Sequence, residues 1–171
     1  MTLPGPPVRP GPSGNGMLTY FVRFVAILVG YAVAALTASS FLNVIMLAWF
    51  DFTPEETRMV ATSSFVFSVP FVALFIAYLA FIPSAVAIVI GEIAGKRDWL
   101  FYALAGAVVA LVVIGFSRGE PGAAFAGMAD LNFAIAVIGS GMCGGIGYWL
   151  VAGRGAGRWR AAKDDATSPG P

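Results

Sequence analysis

The sequence predicts an all-α integral membrane protein, a bundle of four transmembrane helices. The chain has 171 residues, of which 58% are hydrophobic and only 11% are charged. A soluble domain carries about 25% charged residues, so these few charges cannot cover a surface that faces water. The apolar residues are gathered in four runs, and a helix needs about 20 such residues to cross a bilayer. We therefore expect most of the chain to lie in lipid.

The chain divides into a tail, a membrane domain and a second tail. Residues 1–17 form a Pro/Gly-rich segment that cannot bury apolar surface, and we expect it to be disordered. Met17 is an alternative starting residue of the protein. The membrane domain is predicted over residues 18–152. Residues 153–171 form a tail that is first basic and then polar, and we expect it to lie in the cytoplasm.

The four apolar runs predict four membrane spans. They cover residues 18–50, 59–91, 99–116 and 131–152. The first run contains one charged residue, Arg23, and the other three contain none. Each run is long enough to cross the bilayer, so the sequence indicates four crossings.

The second run has a clear start and an unusual length. In "DFTPEE" we predict Thr53 as the N-cap, Pro54 at the first helical position and Glu56 closing a capping box. An unbroken helix to the end of the run would exceed the bilayer, and it contains Pro70 and Pro83. We expect it either to project outward by several turns or to break near Pro70. The first run is overlong as well, so a helical hairpin that protrudes on the outer side explains both.

The distribution of Lys and Arg predicts the orientation. Eight of the ten basic residues fall on one side of the four spans, in the N-terminal flank, the loop after the second span and the C-terminal tail. Only Arg58 and Arg118 fall on the other side. Basic residues are enriched in cytoplasmic segments, so we expect both termini in the cytoplasm, with the protein in a bacterial inner membrane.

The stretch "IGSGMCGGIG" contains the pattern G-x-G-x-x-G at Gly139, Gly141 and Gly144. A dinucleotide-binding turn needs a strand before it and a βαβ frame, and four membrane spans leave no place for either. Small residues four apart instead form a flat face on which another helix can pack closely. The predicted packing residues are Gly139, Ser140, Gly141, Gly144, Gly145 and Gly147. The first and third spans also carry small residues at this spacing, so the partner is a helix of this chain or of a second copy.

Polar residues inside the spans are few and mostly uncharged. Asn43 is the most informative, because a buried amide must find a partner, and we predict an interhelical polar contact for it. A ligand contact is the alternative. Arg23 lies near a helix end and is interpreted as a residue that fixes topology. Glu92 precedes Lys96 by four residues, which favours a surface pair, and a gating or proton-coupled role is the alternative.

Composition also bears on chemistry. The chain has no histidine and one cysteine, Cys143, and the membrane spans contain no paired carboxylates. The commonest metal ligand and proton shuttle is therefore missing, and we predict no metal site, no cofactor and no enzymatic activity. The net charge of +1 gives no indication of nucleic-acid binding.

The hairpin "GEIAGKRDWLFYALAGA" and the ending "GGIGYWLVAGRGAGRW" give the chain a recognisable overall pattern. With its hydropathy, this pattern is similar to that of small four-helix bacterial inner-membrane proteins with no assigned activity. The resemblance implies a fold but transfers no functional residue. Small multidrug antiporters carry an essential carboxylate in the first helix, and this chain has none.

Two functions fit these observations. The first is a non-enzymatic membrane protein that acts through helix packing, as an accessory or scaffold subunit with a membrane-protein partner or a second copy. The glycine face without buried charge is its basis. The alternative is a small oligomeric transporter or channel for a neutral or apolar solute, suggested by the two prolines and the glycine-rich fourth span.

Overall fold

A computed structural model describes residues 15–49, 62–118 and 131–156, together with Glu55 and Met59. Several predicted features lie outside the described residues: most of the N-terminal tail, the capping box at Thr53, the loop before the last span and the C-terminal tail beyond residue 156. Every regular element in the described ranges is a helix. The all-helical fold class is therefore confirmed for this part of the chain.

Within the described ranges, five complete α-helices and two short helical turns follow one another. Three helices, over Tyr20–Ala48, Trp99–Phe116 and Leu131–Val151, are long and apolar enough to cross a membrane, and a bent pair makes a fourth if the two halves cross together. Among the described residues, the elements are α1 (Asn15–Ala48), a π-helical turn (Ser64–Ser68), α2 (Val69–Leu79), α3 (Phe81–Ala94), α4 (Trp99–Arg118), α5 (Leu131–Val151) and a 3₁₀ turn (Gly153–Gly155).

Helix α1 has 34 residues, which corresponds to about 51 Å at the α-helical rise. It is longer than the bilayer core, as the first apolar run predicted. It begins at Asn15, within the segment that we assigned to the N-terminal tail, and ends at Ala48, two residues before the predicted end. Helix ends commonly differ by one or two residues between criteria, so the larger difference is the one at the N-terminus.

The second apolar run is broken, and the break does not lie where we expected it. The segment Phe65–Leu79 and helix α3 meet at Ala80 with a bend of 72°. The run is neither one straight protruding helix nor a helix broken near Pro70. We call the π-helical turn, α2 and α3 together the broken helix.

Both prolines lie where the missing N–H costs little. Pro70 is in the first turn of α2, directly after the π-helical turn, and Pro83 is the third residue of α3. The first N–H groups of a helix have no acceptor within that helix, so a proline there leaves its hydrogen bonding unchanged. A break at Ala80 therefore accommodates Pro83. The π-helical turn in turn lets the chain pass Pro70 without a second bend.

Helix α5 lies between α1 and α4 and packs closely on both. Gly30 of α1 approaches Ala152 just beyond α5, and Gly139 of α5 approaches Phe41 of α1, so these two helices are antiparallel. The broken helix packs through α2 on α1 and through α3 on α4. We call α1, α4 and α5 the frame. The broken helix crosses from one side of the frame to the other, and Gly95, with φ of 61°, ends α3 in the left-handed region before α4.

Most buried residues of the described chain are small, mainly alanine and glycine, and the two buried tyrosines are exceptions. The side chain of Ser39 is fully buried. Large apolar side chains cover the outside of the bundle, as with Phe71 of α2, which is 71% exposed. Exposure of such an apolar surface to water is unfavourable, whereas lipid chains solvate it. Small residues between helices are typical of helix packing in membranes.

Candidate functional site

A cavity of about 540 Å³ lies between the frame and the broken helix. The small residues of α5 form its floor, α1 and α4 form its sides, and the broken helix lies over it. Residues of all five helices line it, among them Ala34, Val72, Ala87, Val109 and Gly144. The lining is almost entirely apolar, so the cavity offers mainly dispersion contacts and few hydrogen bonds.

The glycines of the floor lie against the backbone of α4. A Cβ atom on Gly141 would overlap the carbonyl oxygen of Gly106, and one on Gly145 would overlap the carbonyl oxygen of Tyr102. Only glycine permits these approaches, because any side chain would meet backbone atoms that cannot rotate away. Two of the predicted packing residues therefore face another helix of the same chain.

Three further predicted packing residues face α1. A Cβ atom on Gly144 would lie 3.0 Å from the carbonyl oxygen of Ala34, and one on Gly147 would lie 2.7 Å from Thr37 Oγ1. Gly139 lies against the ring of Phe41. Helix α5 thus presents glycines to both of its neighbours, and the sixth predicted residue, Ser140, is buried and donates from Oγ to the carbonyl oxygen of Val137, 2.7 Å away.

A polar network joins α1 to the start of α2. Ser68 Oγ donates to Asn43 Oδ1 at 2.8 Å, and Asn43 Nδ2 donates to the carbonyl oxygen of Ser39 at 2.9 Å. Ser39 Oγ donates to the carbonyl oxygen of Val69 at 2.8 Å. The structure therefore places Asn43 between two helices, with its amide oxygen and nitrogen both hydrogen-bonded, and it does not line the cavity.

A tyrosine supports the bend of the broken helix. Tyr31 of α1 donates from its hydroxyl group to the carbonyl oxygen of Ala77, 2.5 Å away. Ala77 is in the last turn of α2, where carbonyl groups have no N–H partner from a following turn. The Tyr31 ring also makes an edge contact with Phe81, the first residue of α3, with centroids 6.2 Å apart. Tyr31 therefore contacts both halves of the broken helix.

An ion pair closes one end of the bundle. Arg23 of α1 donates from Nη2 to Glu92 Oε1 of α3, and from Nη1 to the carbonyl oxygen of Ala152, 3.0 Å away. The side chains of Arg23 and Glu92 are only 22% and 15% exposed. We call this region the ion-pair end. The expected partner of Glu92 was Lys96, and this interpretation was wrong because a distant helix supplies the nearer cation.

Two tyrosines, Tyr102 and Tyr148, lie between the cavity and the ion pair, and we call them the tyrosine layer. Tyr102 of α4 and Tyr148 of α5 are both 4% exposed and line the cavity, and their ring centroids are 5.4 Å apart. Tyr102 donates from its hydroxyl group to the carbonyl oxygen of Lys96 at 3.1 Å. Among the described residues, the Tyr148 hydroxyl group and Arg23 Nε have no hydrogen-bond partner.

The outer surface of the ion-pair end is also ordered by side chains. Trp149 donates from Nε1 to the carbonyl oxygen of Arg97 at 2.6 Å, and Arg97 Nε donates to the carbonyl oxygen of Ala156 at 3.0 Å. The guanidinium group of Arg154 lies 4.6 Å from the ring centroid of Trp149. These contacts fix the turn between α3 and α4 against the end of α5.

The described residues do not form a metal-ligand cluster. Within residues 15–49, 62–118 and 131–156, no three His, Cys, Asp or Glu side chains come together as metal ligands would. Cys143 is half-buried in α5 and is a free thiol.

Comparisons with protein-family models, curated proteins and solved structures give no match to this chain. Its function is therefore inferred from the geometry of the cavity and of its two ends.

The sequence pattern indicated the glycine face and Asn43 but not the cavity or the ion pair. A signal for the ion pair was present. Arg23, Ile27 and Tyr31 are four residues apart on α1, and Ser84, Ile88 and Glu92 are four apart on α3. Each series lies on one helix face, so an opposite charge at the same end of two apolar stripes could have indicated the pair.

Proposed function

We propose that this protein is a membrane-embedded carrier that holds the hydrocarbon part of a neutral, lipid-like solute between its frame and its broken helix. The cavity of about 540 Å³ is the observation that supports this proposal. Binding sites for small molecules commonly measure about 300–1,000 Å³, with mainly apolar linings and a few polar groups. The proposal involves no chemical step on the solute.

The lining favours an apolar ligand. Three of its hydroxyl groups are used within the chain: Tyr31 bonds to Ala77, Ser140 to Val137 and Tyr102 to Lys96. A solute with many polar groups would therefore lose its hydrogen bonds to water and gain none in the cavity, at a cost of about 1–3 kcal/mol for each unpaired group. Arg23 and Glu92 neutralise each other outside the tyrosine layer, so the cavity offers no net charge to an ionic solute.

We further propose four crossings, with both termini on the cytoplasmic side of a bacterial inner membrane. This requires the broken helix to cross as one span. The start of α1, the turn between α3 and α4, and the end of α5 all meet at the ion-pair end, where Lys96, Arg97 and Arg154 also lie. The positive-inside rule then assigns this end to the cytoplasm.

An accessory or scaffold role is the second candidate. The glycine face was the sequence observation that suggested this role, and in the structure that face packs against α1 and α4 of the same chain. One other observation supports it: α2 and the turn before it carry a row of exposed aromatic side chains, Phe67, Phe71 and Tyr78. This row suits a partner helix as well as it suits lipid, so a second protein that copurifies with the chain in mild detergent would favour this candidate.

A photoactivatable probe tests the carrier proposal. The purified protein in lipid nanodiscs is irradiated with a long-chain alcohol that carries a diazirine, and the labelled residues are located by mass spectrometry. We expect saturable labelling of cavity residues such as Ala105 and Val109, which line the cavity from α4. Labelling of Leu104 and Val108, which are 53% and 58% exposed, should instead rise linearly with the probe, as for a surface that contacts bulk lipid.

A matched pair of substitutions on α3 gives the control. Ala87 lines the cavity, whereas Ala85 is on the exposed side of the same helix. Ala87→Leu fills part of the cavity and should lower the saturable labelling at least fivefold, whereas Ala85→Leu should leave it unchanged. Equal labelling of cavity and surface residues, without saturation, would contradict the proposal.

A further inference from the structure

The ion pair lies at the opposite end of α3 from the bend of the broken helix. Helix α3 begins after the 72° bend at Ala80 and ends at Ala94. Glu92 lies in its last turn and pairs with Arg23, which is bonded in turn to the carbonyl oxygen of Ala152. A single guanidinium group therefore joins the last turn of α3 to α1 and to the end of α5.

The pair also lies directly beyond the end of the cavity. Ser84 and Ile88 of α3 line the cavity, and Glu92 continues the same face one turn further. Opposite them on α1, Tyr31 lines the cavity and Ile27 packs against the cluster of Tyr102, Tyr148 and Ala152. Arg23 continues that face one turn further towards the helix end. The two apolar stripes thus converge on the ion pair.

The first half of the broken helix is attached differently. Ser39 and Asn43 of α1 bond to the start of α2, and Tyr31 bonds to its end. These neutral hydrogen bonds distribute the attachment along α2. Within α3, the charged attachment to α1 and to the end of α5 is the pair of Glu92 and Arg23, so a change at this carboxylate acts on α3, whereas the turn after α3 is held on α5 by Arg97 and Trp149.

We infer that the Arg23–Glu92 ion pair is the gate of the cavity. When the pair is formed, α3 covers the cavity and the tyrosine layer separates it from water. When the pair opens, each charge is hydrated, and α3 moves about the break at Ala80 and admits water to the cavity from the ion-pair end. Hinged elements that are held by a few contacts at one end switch in this way. The identity of the solute that passes the gate rests on the proposed function, whereas the existence of the gate does not.

Thiol accessibility measures the state of the gate. Cys143→Ser removes the native thiol, and Ala87→Cys then places a single thiol on the cavity side of α3. The protein is reconstituted in nanodiscs, where both faces of the bilayer are accessible, and is treated with a charged, membrane-impermeant methanethiosulfonate reagent. Such reagents need a hydrated thiolate, so the rate of labelling reports water in the cavity.

The gate predicts a specific pattern of rates. Glu92→Gln should raise the labelling rate of Ala87→Cys at least tenfold, and Arg23→Gln should do the same. The charge swap, Arg23→Glu with Glu92→Arg, should return the rate towards that of the native pair, because attraction is restored. A thiol from Ala85→Cys, on the exposed side of α3, should keep its rate in every background.

Separate readouts distinguish a gate from a damaged fold. Each variant is checked by circular dichroism and by size-exclusion chromatography. If Glu92→Gln does not fold, Arg23→Lys tests the same point, because it keeps the charge, loses the forked geometry and should give an intermediate rate. An unchanged rate in the neutral variants, or a charge swap that labels as fast as they do, would overturn the gate.

The photoprobe experiment and the thiol experiment can refute the carrier proposal and the gate proposal separately. Saturable probe labelling with no response of the thiol to Glu92→Gln would leave the carrier proposal standing and refute the gate. A strong thiol response without saturable probe labelling would support the gate and refute a hydrocarbon site.

Discussion

The frame and the broken helix are held by different interactions. In the frame, glycines of α5 bring helix backbones into contact, as at Gly141 with Gly106 and at Gly145 with Tyr102. The broken helix is held by individual side chains, above all Ser39, Tyr31 and Arg23. The difference indicates which part can move. Contacts along whole helix faces are lost together, whereas single hydrogen bonds exchange one at a time.

The same difference explains the position of the cavity. Small residues let α5 approach α1 and α4, but they leave space above the floor that small side chains cannot fill. The bend at Ala80 carries α2 and α3 to opposite sides of this space. A straight helix with large inward residues would have filled it, so the break and the glycine floor together produce the cavity.

The largest expected effect comes from the frame. Gly145→Leu places a side chain against the Tyr102 carbonyl group, and these backbone atoms cannot rotate away as a side chain could. The free energy of unfolding should therefore fall by about 3 kcal/mol or more. Gly115→Leu is the matched control, because Gly115 of α4 is exposed and a Cβ atom there would meet no other atom within 4 Å. Steric trapping in bicelles measures the free energy of unfolding of both variants. Equal effects of the two substitutions would show that the glycine face does not hold the frame.

A smaller effect is expected where α2 meets α1. Ser39→Ala removes the donor to the Val69 carbonyl group, and side-chain hydrogen bonds between membrane helices contribute about 0.6–2 kcal/mol. Ser39 is fully buried, so we expect a loss of stability near the upper end of this range. Ser63→Ala is the control, since the exposed Ser63 hydroxyl group bonds to Met59, four residues before it along the chain. The same steric-trapping measurement would contradict this attachment if the two variants were equally stable.

The smallest expected effect is at the bend. Tyr31→Phe keeps the ring contact with Phe81 and removes the hydroxyl donor to Ala77, so the free energy of unfolding should fall by about 0.5–1.5 kcal/mol. Tyr78→Phe, at an exposed tyrosine of α2, should change stability little. Since the Tyr31 hydroxyl group supports the bend, the variant should also alter the bend angle, which spin-label distances across Ala80 would detect. An unchanged angle would show that the prolines and packing alone set the bend.

The helices and the floor could be predicted from the sequence because both depend on local patterns. Apolar run length indicated α1, α4 and α5, and the spacing of small residues indicated the face of α5. The position of the break was not accessible in the same way. Pro70 and Pro83 each favour a break, and the choice between them depends on the π-helical turn and on Tyr31, which bonds to a residue 46 positions further along the chain.

The ion pair was missed for a related reason. Helix-surface rules compare residues three or four apart, and they assigned Glu92 to Lys96. The actual partner, Arg23, is 69 residues away, and its proximity follows from the antiparallel arrangement of α1 and α3. The cavity is a property of several helix faces and a bend together, so no single segment indicates it.

Spin-label distances compare the two regions most directly. In a Cys143→Ser background, one pair of labels at Leu28 and Leu104 spans the frame, and another at Ile90 and Leu150 joins α3 to the frame, all at exposed positions. We predict one narrow distance distribution for the frame pair, and a distribution for the α3 pair that Glu92→Gln broadens or shifts while the frame pair stays unchanged. If both distance distributions are equally narrow and neither changes with Glu92→Gln, the account of a rigid frame with a hinged helix over the cavity is contradicted.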